Sequence, residues 1–391
     1  MSCPHFGLCG GCITIDLPYE ESLNGKEREL QSLLSPLYGE KPPVYEGFYP
    51  SPKPYEYRNK MEFSFGNDRK DGPLTLGMHR KKSFYDIITV SGCQIMDGDF
   101  RSILTATRDY FDGAPFYHKK SRTGYLRHLV IRKASHTGEI LLDLVTTTQK
   151  ETLPKEESEF LVGWVERVKS LPLSGKLAGI LHTKNDALAD AVIDEGTETL
   201  YGKNFFQEAL LGLRFTVTPF SFFQTNSYSA EVLYKKVREY VERAEKKERI
   251  FDLYCGTGTI AQLLHAPGRK VTGVEIVPEA VLAAKENAEM NGIPEKECEF
   301  LQGDVLKVLD SLAEPPDVIV LDPPREGVHP KALPKILDYG AKTLVYVSCK
   351  PKSLARDMEL ILAKGYVLER YCGVDQFPHT ANMEAVAVFN R

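Results

Sequence analysis

DLYCGTGTIA, residues 252–261, is the stretch on which the fold turns. Gly256, Gly258 and Ala261 satisfy G-x-G-x-x-G/A directly after the apolar run RIFDLY, and the next apolar run, KVTGVE, closes on Glu275. Such glycines let a strand turn into a helix and let backbone approach a ligand there. A carboxylate at the end of the second strand can take two ribose hydroxyls.

Working outward, the alternation persists to the end of the chain. CEFLQGD (to Asp304), DVIVLD (to Asp322), TLVYVS (to Ser348), YVLERYC (from Tyr366) and EAVAVF (from Glu384) read as further strands. PEAVLAAKENAEMNG reads as a helix, with Pro278 at its first position and Asn291-Gly292 as its stop. Upstream, a helix carries Val232, Leu233, Val237, Tyr240 and Val241 on one face. Strand–helix alternation of this length predicts an α/β doubly wound sheet, with a ligand crevice at the carboxyl ends of its strands.

The first half follows another pattern. KMEFSFG from Lys60, RHLVIRK from Arg127, EILLDLVTTT from Glu139 and LAGILHTK from Leu177 read as strands, and SEFLVGWVERVKSL as a helix. An α+β domain over 1–217 and a doubly wound domain over 218–391 are expected. The 391 residues suit that number of domains, at roughly 100–200 residues each.

Composition closes other doors. With 42% hydrophobic and 26% charged residues the chain has the apolar content for real cores, which excludes a disordered protein. No run approaches the roughly 18 apolar residues of a membrane span, and the start, MSCPHFGLCGGC, lacks the features of a secretion signal. A cytoplasmic protein without a membrane partner is expected. A net charge of −5 excludes a polycation yet leaves room for a local basic face.

The glycine motif suits a dinucleotide or S-adenosylmethionine equally, and two strand ends choose between them. DVIVLD runs into Pro323-Pro324-Arg325, and TLVYVS runs into Cys349. A nicotinamide enzyme needs neither; a methyltransferase acting on a ring carbon can use both. In the RNA uracil-5 methyltransferases, which these two strand ends resemble, C5 of the uracil is too weak a nucleophile to take a methyl from a sulfonium. A thiolate adding at C6 makes C5 an enolate carbon, and a general base must afterwards remove the C5 proton. Cys349 is the candidate nucleophile, with its thiolate expected in an electropositive, partly shielded pocket. Glu384 is the candidate base.

The set FSFFQTN (Gln224), DLYCGTG, VE (Glu275), GD (Asp304), LDPPREG (Asp322), VYVSCKP (Cys349) and FPHTANMEAV (Glu384), in this order, resembles the RNA uracil-5 methyltransferases. YRNKMEFSFG from Tyr57 is similar to that family's YRNK strand. The resemblance implies a Rossmann-like class I methyltransferase domain whose last strand runs antiparallel, so that Glu384, Cys349 and Asp322 face one crevice. It implies cofactor contacts at Gln224, Tyr254, Thr259, Glu275, Asp304 and Asp322, and RNA as the partner of a monomer. It favours 23S rRNA over tRNA, because the cysteine-bearing form without the N-terminal β-barrel resembles the rRNA enzymes. Lys350 departs from the family's Asn or Asp after the cysteine, and Thr259 from an amide. An amino-methyltransferase and a non-catalytic cluster-bearing RNA-binding protein are the rival readings; Arg325, where the former needs an aromatic residue, speaks against it.

Cys3, Cys9 and Cys12 form C-x5-C-x2-C, with Cys93 distant. Four thiolates suit zinc or an iron–sulfur cluster. The resemblance implies a [4Fe-4S] cluster with a structural or RNA-contact role. Cys255, Cys298 and Cys372 are expected in the core. For RNA contact, Lys119, Lys120, Arg122, Arg127, Arg132 and Lys133 stand with Tyr117 and Tyr125 in a stretch free of acidic residues, and His79-Arg80-Lys81-Lys82 adds a second cluster.

Overall fold

The computed structural model describes residues 3–39, 41–308 and 314–391. The chain forms two compact units. The first comprises the segment up to Leu17, Lys53–Ala209 and Thr216–Ser221; the second comprises Pro18–Pro52, Leu210–Phe215 and Phe222–Arg391. The amino-terminal pieces of the second unit are helix α1 (Tyr19–Leu34) and strand β1 (Val44–Tyr49).

In the first unit follow β2 (Lys60–Asn67), β3 (Leu74–His79), β4 (Ile87–Ile88), α2 (Gly98–Tyr110), β5 (Leu126–Lys133), β6 (Glu139–Thr146), α3 (Glu157–Lys169), β7 (Lys176–Lys184) and β8 (Thr197–Gly202). Their sheet runs β4-β3-β2-β5-β6-β7-β8. Only β6 and β7 pair in parallel, and α3 supplies the crossover that parallel neighbours require. Phe63, Leu129, Leu142 and Ile180 from the sheet pack with Phe100 and Ile103 of α2 and Phe160 and Trp164 of α3. Trp164 Nε1 donates to Thr107 Oγ1 at 3.0 Å, so the indole polar group is satisfied inside the core.

A hairpin of β9 (Phe206–Leu210) and β10 (Leu213–Val217) precedes the larger part of the second unit. There α4 (Ser227–Glu242), β11 (Arg249–Leu253), α5 (Thr259–Leu263), β12 (Lys270–Glu275), α6 (Pro278–Met290), β13 (Cys298–Gln302), α7 (Val305–Val308) and β14 (Val318–Leu321) follow in turn. The chain ends with α8 (Ala332–Asp338), β15 (Thr343–Ser348), α9 (Pro351–Ala363), β16 (Val367–Val374) and β17 (Glu384–Asn390). Among the described residues eight strands form one sheet, β1-β16-β17-β15-β14-β11-β12-β13. Strands β11 to β15 are parallel, and β17 runs antiparallel between β15 and β16. Strand order reverses between β11's neighbours β12 and β14, which opens a crevice at their carboxyl ends.

The compact units do not divide at residue 217/218 alone: residues 210–215 lie with the second unit, residues 218–221 with the first, and a longer amino-terminal segment also changes sides. Residues 18–52 belong to the second unit, because β1 pairs in parallel with β16 and α1 buries Ser22, Lys26, Leu30 and Leu34 on one face. Among the described residues no helix is long and apolar enough to cross a membrane.

Candidate active site

Cys349 and Glu384 meet through strand register. Ser348, the last residue of β15, pairs with Ala385 of antiparallel β17, so the next position on each strand brings Cys349 opposite Glu384. Asp322 follows β14 on the same edge, its N–H 3.4 Å from the Leu253 carbonyl. Glu384 is fully buried, and burial first, then Asp322, push its carboxyl well above the usual range, with Arg325 opposing. Burial likewise pushes Asp322 up to about 7.

The thiol contradicts one expectation. Cys349 does not lie in an electropositive pocket: burial first, then Glu384 and Asp322, push it up to about 11, against Arg325 and a backbone hydrogen bond. Its other support is the start of α9, whose cap is Lys350 and whose first residue is Pro351. Sequence reading used Arg325 only to reject a rival. Its loop is stitched to α9: Ser353 Oγ donates to the Arg325 carbonyl at 2.7 Å, Arg356 Nη2 to Glu326 O at 2.8 Å, and Val328 N to Asp357 Oδ2 at 2.9 Å. Gly327 makes that approach possible, since a Cβ there would lie 2.7 Å from Asp357 and 3.1 Å from the Ser353 side chain. Lys350, the departure from the family pattern, points to the surface, with Nζ 3.8 Å from Glu326.

The loop before Glu384 is braced from elsewhere in the unit. Lys26, buried on α1, donates to Asp375 Oδ1 at 2.6 Å, Phe377 O at 2.9 Å and Asn382 O at 2.8 Å. Tyr19 OH donates to Asp375 Oδ2 at 2.8 Å. Asn226 caps α4 through Ser229 N and donates to Gln376 O at 3.1 Å. Gln224 therefore does not serve as the helix cap; its Oε1 accepts from Gln376 Nε2 at 3.1 Å, which ties it to the same loop.

At the switch point the remaining predicted cofactor residues share the carboxyl edge. Tyr254 and Gly256 both adopt left-handed φ, 68° and 53°. Space is open beyond Gly256, whereas a Cβ on Gly258 would lie 2.5 Å from the Phe300 ring. The two glycines thus serve different needs, access and close packing. Glu275 ends β12 and accepts from Gly256 N at 3.1 Å, Asp304 follows β13, and Thr259 opens α5. Asp252, which heads the DLYCGTG motif, accepts from Ala261 N at 2.9 Å with Oδ2, while its buried Oδ1 has no hydrogen-bond partner. Burial first, then Asp322 and Glu275, push Asp252 well up. A glycine cradle, an orphaned buried oxygen and a surplus of carboxylates fit a ligand that carries ribose hydroxyls and positive charge, as S-adenosylmethionine does.

This is the site of a class I S-adenosylmethionine-dependent methyltransferase. The family described as tRNA (Uracil-5-)-methyltransferase matches residues 207–391. A Clostridium tetani protein named as an uncharacterized RNA methyltransferase is 47% identical over all of this chain and 83% of its own length. A similarly named Bacteroides thetaiotaomicron protein is 35% identical over 99% of this chain and 87% of its own. The Pyrococcus abyssi tRNA (uracil-54, C5)-methyltransferase, solved with S-adenosyl-L-homocysteine, superposes with a TM-score of 0.77 at 26% identity, over 98% of this chain and 86% of that one. The chain belongs to the RNA uracil-5 methyltransferase family.

In the first unit the cysteines gather. Cys3 lies in a small core with Ile15, Tyr57 and Ile95, against which Cys12 and Cys93 pack. Burial, then Cys93, Cys9 and Cys3, push the Cys12 thiol up to about 12, and N–H groups of Ile95 and Met96 donate to Cys93. N–H···S donors are the kind of support a thiolate-bound metal group uses. No group of three or more His, Cys, Asp or Glu side chains among the described residues stands ready to hold a metal ion, however. Cys255, Cys298 and Cys372 are buried.

The basic stretch divides. Tyr125 is fully buried and cannot stack on a base. Arg127 is buried, donating to the carbonyls of Asn185 (2.6 Å), Ala187 (2.8 Å) and Ala189 (2.8 Å), and lies over the Tyr117 ring. Arg132 donates to the carbonyls of Thr218, Pro219 and Ser221, and Lys133 to Asp97 and Asp99. These three cations belong to the scaffold, which corrects their expected RNA role. Lys120 and Arg122 are exposed, and Lys119 pairs with Asp190 at 2.6 Å.

Proposed function

We propose that this protein methylates C5 of a uridine in 23S rRNA, with Cys349 as nucleophile and Glu384 as base. The observation that carries the reading is the cross-strand register that sets Cys349 opposite Glu384. The Cys349 thiolate adds to C6, and the electron pair of the C5=C6 bond moves into the C4 carbonyl to give an enolate. Gln224, Tyr254, Thr259, Glu275, Asp304 and Asp322 would hold S-adenosylmethionine, which would supply an electrophilic methyl: C5 takes it as the sulfonium C–S bond breaks and its electron pair passes to sulfur, while the C4 carbonyl re-forms. Glu384 then accepts the C5 proton, and the pair from that C–H bond re-forms C5=C6 while the Cys349 thiolate leaves. The crowded carboxylates suit a site whose ligand brings the compensating positive charge.

Cys3, Cys9, Cys12 and Cys93 would hold a [4Fe-4S] cluster, whose part would be structural, since methyl transfer moves no electron through it. The cysteine set supports an rRNA substrate. A tRNA uridine is the second reading, favoured by the likeness to the Pyrococcus abyssi tRNA enzyme.

The test is an rRNA fragment carrying 5-fluorouridine at the target, with a matched tRNA fragment. Fluorine cannot leave as a cation, so the enzyme should stay attached at C6 in a denaturant-resistant, cofactor-dependent complex that Cys349→Ala abolishes. No complex, on an RNA whose uridine form is methylated, removes Cys349 as nucleophile. Trapping on the tRNA fragment alone replaces the rRNA reading.

A further inference from the structure

Two loops of the first unit bring aromatic and basic side chains to one place. In the β3–β4 turn, Phe84 is 84% exposed and Tyr85 54%. Lys81 and Lys82 are exposed beside them. From the loop before β5, Lys119 Nζ donates to the Phe84 carbonyl at 3.0 Å, and Lys120 Nζ lies 4.9 Å above the Tyr85 ring. The turn is held from within and from outside: Ser83 Oγ accepts from Asp86 N at 3.1 Å, and Lys81 N donates to Leu8 O, in the cysteine segment, at 2.7 Å.

A single exposed aromatic residue is ordinary. What sets Phe84 apart is its surroundings. Lys82 and Arg122 occupy left-handed φ, 66° and 58°, where a loop that had only to turn would carry Gly or Asn. Cations held in left-handed backbone at the tips of two loops that meet at Phe84 and Tyr85 point to a ligand. Lysine is depleted from protein–protein interfaces, whereas aromatic faces set among cations are how single-stranded RNA is held.

We propose that Phe84 is a stacking platform for an unpaired base of the RNA substrate, with Lys81, Lys82, Lys120 and Arg122 on the flanking phosphates. This rests on RNA being the substrate, not on the roles of Cys349 or Glu384.

The experiment is fluorescence anisotropy with a fluorescein-labelled single-stranded RNA of mixed sequence, titrated across salt concentrations. F84A should raise Kd about tenfold without changing the slope of log Kd against log salt, because stacking releases no counterions. Lys81→Ala with Lys82→Ala should flatten that slope by roughly 0.7 for each phosphate lost. F84W should bind like the parent, and its indole emission should be quenched by RNA; Trp164, the one native tryptophan, is buried and gives a constant background. Parent-like binding by F84A, or an unquenched F84W at saturating RNA, overturns the proposal. If the parent binds and F84A is indifferent, only this platform falls; if the parent binds no RNA, the substrate reading falls with it. Sedimentation showing self-association that F84A abolishes would assign the ring to a second copy of the chain and overturn it as well.

Discussion

Two clusters of buried ionisable groups, one in each unit, are handled in opposite ways. In the first, Arg127 and Arg132 are buried like core residues and are surrounded by carbonyl oxygens, while Lys133 sits between Asp97 and Asp99. In the second, Asp252, Asp322 and Glu384 crowd one sheet edge, and their carboxyls are all pushed up by burial and, for Asp252 and Glu384, by Asp322 as well. Compensated charges hold a scaffold together; uncompensated ones keep a site ready for a ligand that completes the balance.

The most severe test falls on the uncompensated edge. Cys349→Ala should lose turnover entirely while S-adenosylmethionine binding, followed by calorimetry, stays near the parent value. Glu384→Gln should lose about a hundredfold to ten-thousandfold in rate. It should also accumulate methylated RNA still bonded to Cys349, visible as a denaturant-stable band. A glutamine variant that turns over at the parent rate would show that Glu384 is not the base.

Next comes the second unit's own compensated pair. Lys26→Met strands Asp375 in the interior and should cost about 3–5 kcal/mol, read as a lower denaturation midpoint. Adding Asp375→Asn should recover part of it. Should Lys26→Met alone match the parent, this buried pair is not what holds the loop before Glu384.

How much of this was legible follows from the same distinction. Asp322, Cys349 and Glu384 stand at the tips of apolar strands, where a polar residue is conspicuous, and the alternation of strand and helix brings those tips to one edge. Lys26 could not be read, because a lysine four residues from Ser22 and Leu30 on a helix looks like a surface residue until its partner, 349 positions away, is in place. β1 escaped for a similar reason: VYEGFY is half exposed, and only its pairing with β16 makes it part of the sheet. Arg127 and Arg132 misled because β5 is covered on both faces, so period-two alternation does not separate inside from outside.

Proton release supplies a test of intermediate size. Cys349 is pushed up to about 11, so the rate of adduct formation on 5-fluorouridine RNA should rise about tenfold per pH unit between roughly pH 6 and 8. A flat profile would mean that RNA and cofactor together have already brought the thiol down. Stability of the free protein should move the other way. Folded Asp322 keeps its proton up to about pH 7 while the unfolded chain gives it up near 4, so its contribution is present below about 4 and lost as pH rises through 7. Asp143 does the same in the first unit, where burial pushes it up to about 7 and Thr183 opposes. Asp143→Asn should flatten the fall in melting temperature across that window, and an unchanged pH dependence would exclude Asp143 as a source of it.

The finest test stays inside one basic stretch, where the two kinds of charge lie a few residues apart. Lys133→Met removes a cation held at 2.9 Å from Asp97 and 2.8 Å from Asp99. It should lower stability and leave the salt dependence of RNA binding untouched, because that cation never meets a phosphate. Lys120→Ala with Arg122→Ala removes two exposed cations instead. Stability should change by no more than about 0.5 kcal/mol. The slope of log Kd against log salt should flatten by up to about 1.4, the value for two phosphates on a single strand. Because both variants lie in the same stretch and lose positive charge, a general field effect would weaken binding in each. Only a local contact predicts that the slope follows Lys120 and Arg122 and ignores Lys133. Equal slopes in the two variants would mean that the exposed pair acts through net charge alone.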